Sequence, residues 1–387
     1  MPPPKRGGSE MSRSRIVVRL ALGSGFVLAL ALSSPLAAQF VAADETAAEA
    51  EKASALSVRP TSTMANPYRL IENWPTLPPD QEWGAAIGLL PDDTGGLWML
   101  FRSDPPIVYV NADGQISKRF GSGTIVQAHG FCMDHDGNLW AGDSGPFRDS
   151  PETRGRGFQI HKFSQDGELL MSLGQAGVSR ADRANTFIGP TACAVASNGN
   201  IIIADGHWPR PSDAQQDGDR LVEITPDGQF VRETGRLGAG PGEFMGPHAL
   251  AFDNEGRLLV ADRSNNRIQV LDRELNFVDD WRQFGRPSGV TVLDDGTLIV
   301  SDSESGAQIA GPPQALDGGA DGLRNPGHQV GIRIGRAADG SLQYFISGTR
   351  PEGLAGDNLG NIFAGLTGGC DASPSGGCLQ KWVRVVQ

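Results

Sequence analysis

The sequence lacks the short motifs of several large enzyme classes. It contains no G-x-S-x-G segment of the kind that carries the serine nucleophile of α/β-hydrolases. It also contains neither a phosphate-binding P-loop nor the glycine fingerprint of dinucleotide-binding folds. These absences argue against a serine hydrolase, an NTPase and a nicotinamide-dependent enzyme.

Positive charge is also scarce. The 387 residues include 33 lysines and arginines against 45 acidic residues, which gives a formal net charge of −12. Binding to a phosphate backbone needs concentrated positive charge, so we expect no nucleic-acid partner. Otherwise a negative surface mainly favours solubility.

Cysteine is rare, and no C-x-x-C pair is present, which weakens a redox role and a structural zinc site. Cys370 and Cys378 flank a loop of glycine, serine and proline and could form a local disulfide. Cys132 and Cys193 lie within apolar strands, where we expect buried free thiols.

Only one long apolar run is present, from Leu20 to Leu32, after a basic segment and before small residues. This order is typical of a signal peptide, which we assign to residues 1–41, with an uncleaved membrane anchor as the alternative. Residues 42–65 read as a flexible linker, and ordered structure is expected over residues 66–387. We therefore expect a periplasmic or secreted protein without a membrane span in its mature chain.

What the sequence does contain is a repeat. Each copy has a short apolar strand, a turn of the D-x-x-G type and a second apolar strand, most often ending in aspartate. Clear copies begin at Ala128, Gly189, Gly246, Arg286 and Arg350, and a degenerate copy begins at Ala85. Most copies continue into two further strands, and four short strands per repeat are typical of propeller blades.

The pattern predicts an all-β fold, a six-bladed β-propeller. The sixth copy stops at Val386 without a last strand, and the early strand Tyr68–Ile71 could take that place and close the ring. Long inserts at 144–157, 208–219 and 303–330 all follow a second strand, so they should lie at the same mouth of the propeller.

Several segments of the repeats are distinctive. They are Tyr68-Arg69-Leu70-Ile71-Glu72-Asn73-Trp74-Pro75, Ala128-His129-Gly130, Gly240-Pro241-Gly242-Glu243-Phe244, Gly246-Pro247-His248, Ala261-Asp262-Arg263, Asn265-Asn266-Arg267-Ile268-Gln269, Asn325-Pro326-Gly327 and Gly331-Ile332-Arg333-Ile334-Gly335. With these segments the repeats resemble the NHL class of propellers, and more specifically the bacterial secreted relatives of peptidyl-α-hydroxyglycine α-amidating lyase. The resemblance covers nearly all of the chain after Asn66.

Equivalent positions at the start of each innermost strand should form one ring around the propeller channel. In blades two to six this position holds His129, Thr191, His248, Ser288 and Glu352. His129, His248 and Glu352 fall in alternate blades, so their side chains can converge on the axis. Three protein ligands with an open position are what a catalytic metal requires, and two imidazoles with one carboxylate suit zinc, iron or manganese.

The resemblance adds an expectation about this ring. The amidating lyases bind zinc through three channel histidines, and His129 and His248 match two of them, whereas the third position holds Glu352. We expect zinc or another divalent transition metal at these three residues. Histidines that only bond to backbone at the channel mouth are the alternative.

Catalytic residues are also implied by the resemblance. Arg102 occupies the position of the family's mouth arginine, and Arg263 has the same phase in blade four. Each could bind a carboxylate or developing charge, or could simply pair with a nearby acid such as Asp104. His207 stands where the family has a tyrosine and could act as a general base or as a fourth metal ligand.

Other polar residues have simpler interpretations. Asp143, Asp205, Asp262 and Asp302 close the second strands of four blades, so we expect them to accept backbone hydrogen bonds rather than to catalyse. His135, His161 and His328 are expected to be exposed or locally hydrogen-bonded.

The resemblance implies a metal-dependent lyase that acts on hydroxylated amides, with a small molecule or a peptide C-terminus as substrate and a monomer as the expected state. Two alternatives remain. One is a non-catalytic NHL propeller that binds a protein or ligand. The other is a calcium-dependent lactonase-type hydrolase, which needs an all-oxygen site and is disfavoured by two channel histidines.

Overall fold

In the computed structural model, the described residues are 62–72, 74–78, 83–146, 150–179, 184–206, 218–306, 325, 327–367, 373 and 378–385. The predicted signal peptide and most of the predicted linker lie outside these residues, so both assignments stay predictions. Among the helices of the described residues, none is long and apolar enough to cross a membrane.

The described residues form 24 strands in six antiparallel four-stranded sheets, which confirms the all-β six-bladed propeller. Blade one contains β2 (Ala86–Pro91), β3 (Leu97–Phe101), β4 (Ile107–Val110) and β5 (Ile116–Phe120). Blade two contains β6 (Ala128–Met133), β7 (Leu139–Asp143), β8 (Gln159–Phe163) and β9 (Leu169–Leu173). Blade three contains β10 (Pro190–Val195), β11 (Ile201–Asp205), β12 (Arg220–Ile224) and β13 (Phe230–Thr234).

Blade four contains β14 (Pro247–Phe252), β15 (Leu258–Asp262), β16 (Arg267–Leu271) and β17 (Phe277–Trp281), with a short 3-10 helix at Arg263–Asn265. Blade five contains β18 (Pro287–Val292), β19 (Thr297–Asp302), β20 (Gly331–Arg336) and β21 (Leu342–Ile346). Blade six contains β22 (Pro351–Gly356), β23 (Ile362–Leu366) and β24 (Leu379–Arg384).

The fourth strand of blade six comes from the start of the described chain. This strand, β1 (Tyr68–Leu70), pairs antiparallel with β24, with Tyr68 opposite Arg384 and Leu70 opposite Trp382. Tyr68 is buried and packs in a core cluster with residues of blades five and six. The first and last parts of the propeller are thus joined in one sheet, which covers an edge of β24 that would otherwise be exposed.

The hydrophobic core lies in the seams between neighbouring blades. In the seam of blades two and three, for example, Trp140 packs in one cluster with Ile201 and Ile203. Five of the six second strands are buried along their whole length, and the remaining one, β19, is buried except for its first residue, Thr297. Continuous buried runs of this kind are typical of strands covered on both faces. The seams therefore hold the six innermost strands in fixed positions around the channel.

The expectation of free thiols at Cys132 and Cys193 is wrong. These residues lie on β6 and β10, the innermost strands of blades two and three, and form a disulfide with a Cα–Cα distance of 5.7 Å. Cys378 is also disulfide-bonded, but Cys370, its predicted partner, lies outside the described residues. The repeat did not reveal the first pair, because Cys132 lies three residues after its ring position and Cys193 only two residues after its own.

The four strand-end aspartates have the structural role expected of them. Asp205 is fully buried, accepts the backbone N–H groups of Ile188 and Gly189, and pairs with Arg220 at 2.9 Å. The equivalent Asp143, Asp262 and Asp302 likewise accept backbone N–H groups. Each aspartate thus ties the chain entering its blade to the end of the second strand.

Replacing Asp205 with alanine should destabilise the fold by about 3–5 kcal/mol, because it removes one partner of the buried Arg220 and leaves the backbone N–H groups of Ile188 and Gly189 without their acceptor. Urea unfolding followed by circular dichroism measures this loss. Asp166→Ala is the matched control, because Asp166 is exposed and its pair with Lys118 should contribute less than about 1 kcal/mol. Equal loss in the two variants would contradict the structural role of Asp205.

Candidate metal centre

A β-bulge marks the innermost strand of every blade. The pairing between first and second strands slips by one residue next to the ring position in all six blades. In blade six, for example, Pro351 faces Leu366 and Gly353 faces Gly365, which leaves Glu352 as the extra residue. Bulges re-aim side chains, so the same local irregularity turns each ring residue relative to its strand.

Three of the ring side chains meet. His129, His248 and Glu352 each offer a ligand atom, and these atoms all lie within 4.8 Å of one another. The imidazole centroids of His129 and His248 are 4.5 Å apart. The side chains are buried, with exposed fractions of 2% for each histidine and 10% for the glutamate. The structure therefore brings together the three residues that the sequence selected from alternate blades.

The backbone of the next blade orients each imidazole. Nδ1 of His129 lies 2.6 Å from the carbonyl oxygen of Thr191, and Nδ1 of His248 lies 2.6 Å from that of Ser288. A carbonyl oxygen can only accept, so Nδ1 must carry the proton in both rings. In a neutral imidazole this leaves the lone pair on Nε2, which faces Glu352.

The distances fit a coordination polyhedron. Oε1 of Glu352 lies 3.4 Å from Nε2 of His129 and 3.2 Å from Nε2 of His248. A tetrahedral zinc site with bonds of about 2.0–2.1 Å has edges of ~3.3 Å between ligand atoms. Two nitrogen lone pairs and a carboxylate oxygen at this separation repel one another unless a cation lies among them. The donor set and its spacing therefore fit a divalent metal.

The charge states of the three groups agree with this arrangement. Burial lowers the pKa of His129, and burial, with Arg263 and His129 nearby, lowers the pKa of His248 to about 3. Burial alone would raise the pKa of Glu352, but the positive charge of Arg102 opposes this effect, and the pKa lies well below its usual value. At neutral pH the site thus presents two neutral imidazoles and one carboxylate, the forms that bind metals.

Arg102 stands beside the ring and contacts it directly. Its guanidinium lies 3.4 Å from Oε1 of Glu352, and its Nε donates to the carbonyl oxygen of Ala128 at 3.2 Å. Asp104, the alternative partner considered from sequence, accepts the backbone N–H of Gly123. Arg102 therefore links the end of β3 in blade one to the ring residues of blades two and six.

Arg263 lies near the ring but pairs with an acidic residue of the next blade. It follows β15 at the mouth, is buried, and lies 3.9 Å from Glu304, which also pairs with Arg286 at 2.8 Å. Its charge helps to lower the pKa of His248. The structure therefore places Arg263 near the candidate site but within an ion-pair network of blades four and five.

The third catalytic candidate, His207, lies outside the described residues. The described chain before it ends at Gly206, which follows Asp205 at the end of β11. In the ladder of β10 and β11, Asp205 lies opposite Pro190, which precedes the ring residue Thr191. The role of His207 stays a prediction.

The other histidines do not join the ring. His161 is buried on β8, where its Nδ1 lies 2.8 Å from the hydroxyl of Ser172, and burial lowers its pKa to about 4. His135 and His328 are exposed. These placements agree with the locally satisfied or exposed roles expected from the sequence.

Sequence reasoning missed the residues that support the site. Thr191 and Ser288 were recognised as ring members, but not as the backbone acceptors that orient His129 and His248. Thr191 also donates its hydroxyl to the carbonyl of Pro247, in the blade that carries His248. Thr191 and Ser288 stand at the same repeat position as the histidines, and this could have pointed to them from sequence. Which groups form each hydrogen bond depends on the tertiary structure.

A cavity of about 80 Å³ lies at the channel and is lined by residues from the innermost strands of all six blades. Its wall includes the three candidate ligands and an apolar set formed by Leu89, Phe131, Leu250, Val290 and Leu354. The candidate ligands thus share the channel with apolar side chains of the same innermost strands.

Comparison with known families identifies the repeat. A model of the NHL repeat matches residues 244–271, which contain β14 with His248 and the two strands that follow. A probable peptidyl-alpha-hydroxyglycine alpha-amidating lyase of Caenorhabditis elegans is 28% identical over 185 residues, or 47% of this chain and 47% of the relative. Human NHL repeat-containing protein 3 is 29% identical over 250 residues, or 60% of this chain and 66% of the relative.

A solved gluconolactonase of Xanthomonas campestris has a similar fold. It superposes with a TM-score of 0.54 at 17% identity and covers 82% of this chain and 89% of its own. At that identity the likeness shows the fold alone. The curated relatives are matched over about half to two thirds of their length. The prediction of an NHL-repeat six-bladed propeller that resembles the amidating lyases is confirmed.

Proposed function

We propose that this chain is a secreted metal-dependent lyase that cleaves hydroxylated amides of the peptidyl-α-hydroxyglycine type. The observation that carries the proposal is the convergence of His129, His248 and Glu352 within 4.8 Å on alternate blades. Similarity to a probable amidating lyase supports the choice of reaction. The basic and apolar segment before the propeller supports export to the periplasm or the exterior.

His129, His248 and Glu352 would hold the metal, and zinc is the ion that we propose. A zinc ion bound there supplies a Lewis acid that favours the deprotonated form of a substrate hydroxyl, as it does for bound water. The carbonyl groups of Thr191 and Ser288 keep the two imidazoles in the tautomer with Nε2 toward the ion. Arg102 holds the carboxylate of Glu352 in place.

The reaction breaks one C–N bond in an acyl–NH–CH(OH)–COO⁻ substrate. The hydroxyl loses its proton, its carbon–oxygen bond becomes a carbonyl, and the electron pair of the C–N bond leaves with the amide nitrogen. That nitrogen takes up a proton, so the products are a primary amide and glyoxylate. His207 is the proposed base, since an imidazole can accept the hydroxyl proton and return it to nitrogen near neutral pH.

The positive charge beside the ring suits this substrate. The guanidinium of Arg102 offers a planar set of donors that matches a carboxylate, and the side chain is partly exposed, with an accessible fraction of 21%. A guanidinium next to the metal ligands can orient the carboxylate of the substrate's hydroxyglycine or stabilise charge that develops during cleavage. Arg263 is a weaker candidate for this role, because its described neighbour is Glu304.

Metal content gives the first test. Wild-type protein loaded with zinc and then desalted should retain about one ion per chain, and the His129→Ala/His248→Ala variant should retain less than about a tenth, because two of three ligands are gone. Inductively coupled plasma mass spectrometry measures both. His161→Ala is the control, since His161 is a buried histidine outside the ring. Equal zinc in the wild type and the double variant would eliminate the metal centre.

Activity is tested with a benzoyl-α-hydroxyglycine probe and detection of glyoxylate. We expect turnover by the zinc-loaded wild type and none by the double variant. Zinc binding without glyoxylate release would support the metal centre but would overturn the proposed reaction. In that case the NHL propeller as a binding scaffold for a protein or small ligand would be the better interpretation.

A further inference from the structure

One of the inter-blade seams is built differently from its counterparts. Blades one to five each join their third and fourth strands by a tight turn, and in four of them the same position holds a glycine with left-handed backbone. These glycines are Gly114 (φ 76°), Gly167 (φ 92°), Gly228 (φ 84°) and Gly340 (φ 69°). In blade four the position holds Leu275, also left-handed at φ 65°, a conformation that residues with a branched apolar side chain rarely adopt.

The four glycines let each turn lie directly on the preceding blade. A Cβ on Gly167 would lie 2.8 Å from Phe120 of blade one, and a Cβ on Gly228 would lie 2.7 Å from Met171 of blade two. A Cβ on Gly340 would lie 2.6 Å from Trp281 of blade four. Glycine is thus required where these seams close, and the leucine in blade four faces a seam that has more room.

A cavity of about 490 Å³ lies in that seam, between blades three and four. It is far larger than the channel cavity and falls in the range of about 300–1,000 Å³ that small-molecule sites occupy. Leu275 is buried and lines it together with Ile202, Phe252 and Val195. The turns that form its rim are those between first and second strands, which lie at the opposite end of each blade from the metal ring.

The lining carries two carboxylates and two arginines, and one of the arginines, Arg273, forms no ion pair among the described residues. Glu223 pairs with Arg232 at 2.6 Å, and Asp253 pairs with Arg257 at 2.7 Å. The guanidinium of Arg273 donates to the carbonyl oxygen of Glu255, and among the described residues no carboxylate lies within 4 Å of it. The cavity therefore combines an apolar wall with an exposed arginine at its rim.

We propose that this seam is a second binding site, which takes a small amphiphilic anion. The apolar body of the ligand lies against Ile202, Phe252 and Leu275, and its carboxylate binds Arg273. A leucine held in left-handed backbone is a local cost that persists where the surrounding structure or a function requires it. The site is independent of the metal centre and of the proposed lyase reaction.

Decanoate is the probe for calorimetric titration of the whole protein. We expect saturable binding of one decanoate per chain, and Arg273→Gln should weaken it about tenfold or more, since a charge-assisted hydrogen bond is lost. Arg282→Gln is the matched control, because Arg282 is an exposed arginine of the same blade that does not line the cavity. Ala196→Trp, which fills the cavity from its rim, should abolish binding without lowering the thermal midpoint.

Further titrations separate the parts of the proposal. The uncharged 1-decanol should bind at least about tenfold more weakly than decanoate if the anion is recognised. Binding in the His129→Ala/His248→Ala variant should equal that of the wild type, because the two sites are separate. Non-saturable binding, equal affinity in all variants, or loss only in the double histidine variant would each overturn the second site.

Discussion

Replacing Glu352 with glutamine should lower zinc affinity by at least about 100-fold, which exceeds the effect of removing a supporting hydrogen bond to a ligand. Glutamine keeps the size of the side chain but removes the charge that makes Oε1 a strong donor. The change also leaves Arg102 beside a neutral group, so its positive charge would then repel the incoming cation without compensation. Competition with a zinc chelator at fixed pH measures the affinity.

Glu352→His provides the matched variant. It restores the three-histidine set that the resemblance to amidating lyases implies, so it should bind zinc far better than Glu352→Gln. The two variants distinguish a metal ligand from a structural counter-ion of Arg102. A counter-ion role predicts that both variants lose stability and that neither changes zinc affinity. Urea unfolding of the zinc-free proteins supplies this second measurement.

Removing the Cys132–Cys193 disulfide should have the largest effect on stability. The bond joins residues 61 apart in sequence, and a loop of this length corresponds to about 4 kcal/mol of restricted unfolded-state entropy. Cys132→Ala/Cys193→Ala should therefore lower the free energy of unfolding by roughly that amount. Denaturant unfolding of the oxidised wild type and the variant gives the difference.

The position of this disulfide adds a consequence for the metal centre. Cys132 follows His129 on β6 by three residues, and Cys193 follows Thr191 on β10 by two. The disulfide and the hydrogen bond from His129 to the Thr191 carbonyl thus join the same two strands. We expect the double alanine variant to bind zinc about 10-fold or more weakly, in line with the loss of ligand orientation.

Cys378→Ala is the control for the zinc measurement, because it also removes a disulfide but lies on blade six, away from the contact of β6 with β10. It should leave zinc affinity unchanged. An unfolding free energy that is equal in the wild type and in Cys132→Ala/Cys193→Ala would contradict the stabilising role. A large stability loss with unchanged zinc affinity would show that the histidine is held without the disulfide.

The candidate site could be selected from sequence because the repeat is regular. The ring position follows a proline, or Ala128 in the second copy, and stands at the same place relative to the two strands of each copy. His129, His248 and Glu352 could therefore be matched before any distance was known. The bulge beside each of these positions was not visible in the sequence, yet it recurs in all six blades and re-aims the side chains. Because the bulge recurs in every blade, matching equivalent positions of the repeat was enough to find the three residues.

Other features could not be predicted because they join different blades. The partner of Arg102 was sought at Asp104, two residues away, whereas the structure places it beside Glu352, 250 residues away. The thiols of Cys132 and Cys193 were expected to be free, because the two residues stand at different positions of the repeat. Only the tertiary structure shows that their side chains meet across blades two and three. Leu275 reads in sequence as an ordinary turn residue, and its significance comes from the seam that it faces.

The sequence by itself determined the six-fold repeat, the four strands of most blades and the ring position that carries two imidazoles and a carboxylate. These follow from alternation of apolar residues and from turn chemistry, which act over a few residues at a time. Only the tertiary structure decided the tautomers, the ion pair, the disulfide and the open seam. Each depends on the distance between groups in different blades, and that distance is set by packing and closure of the whole ring.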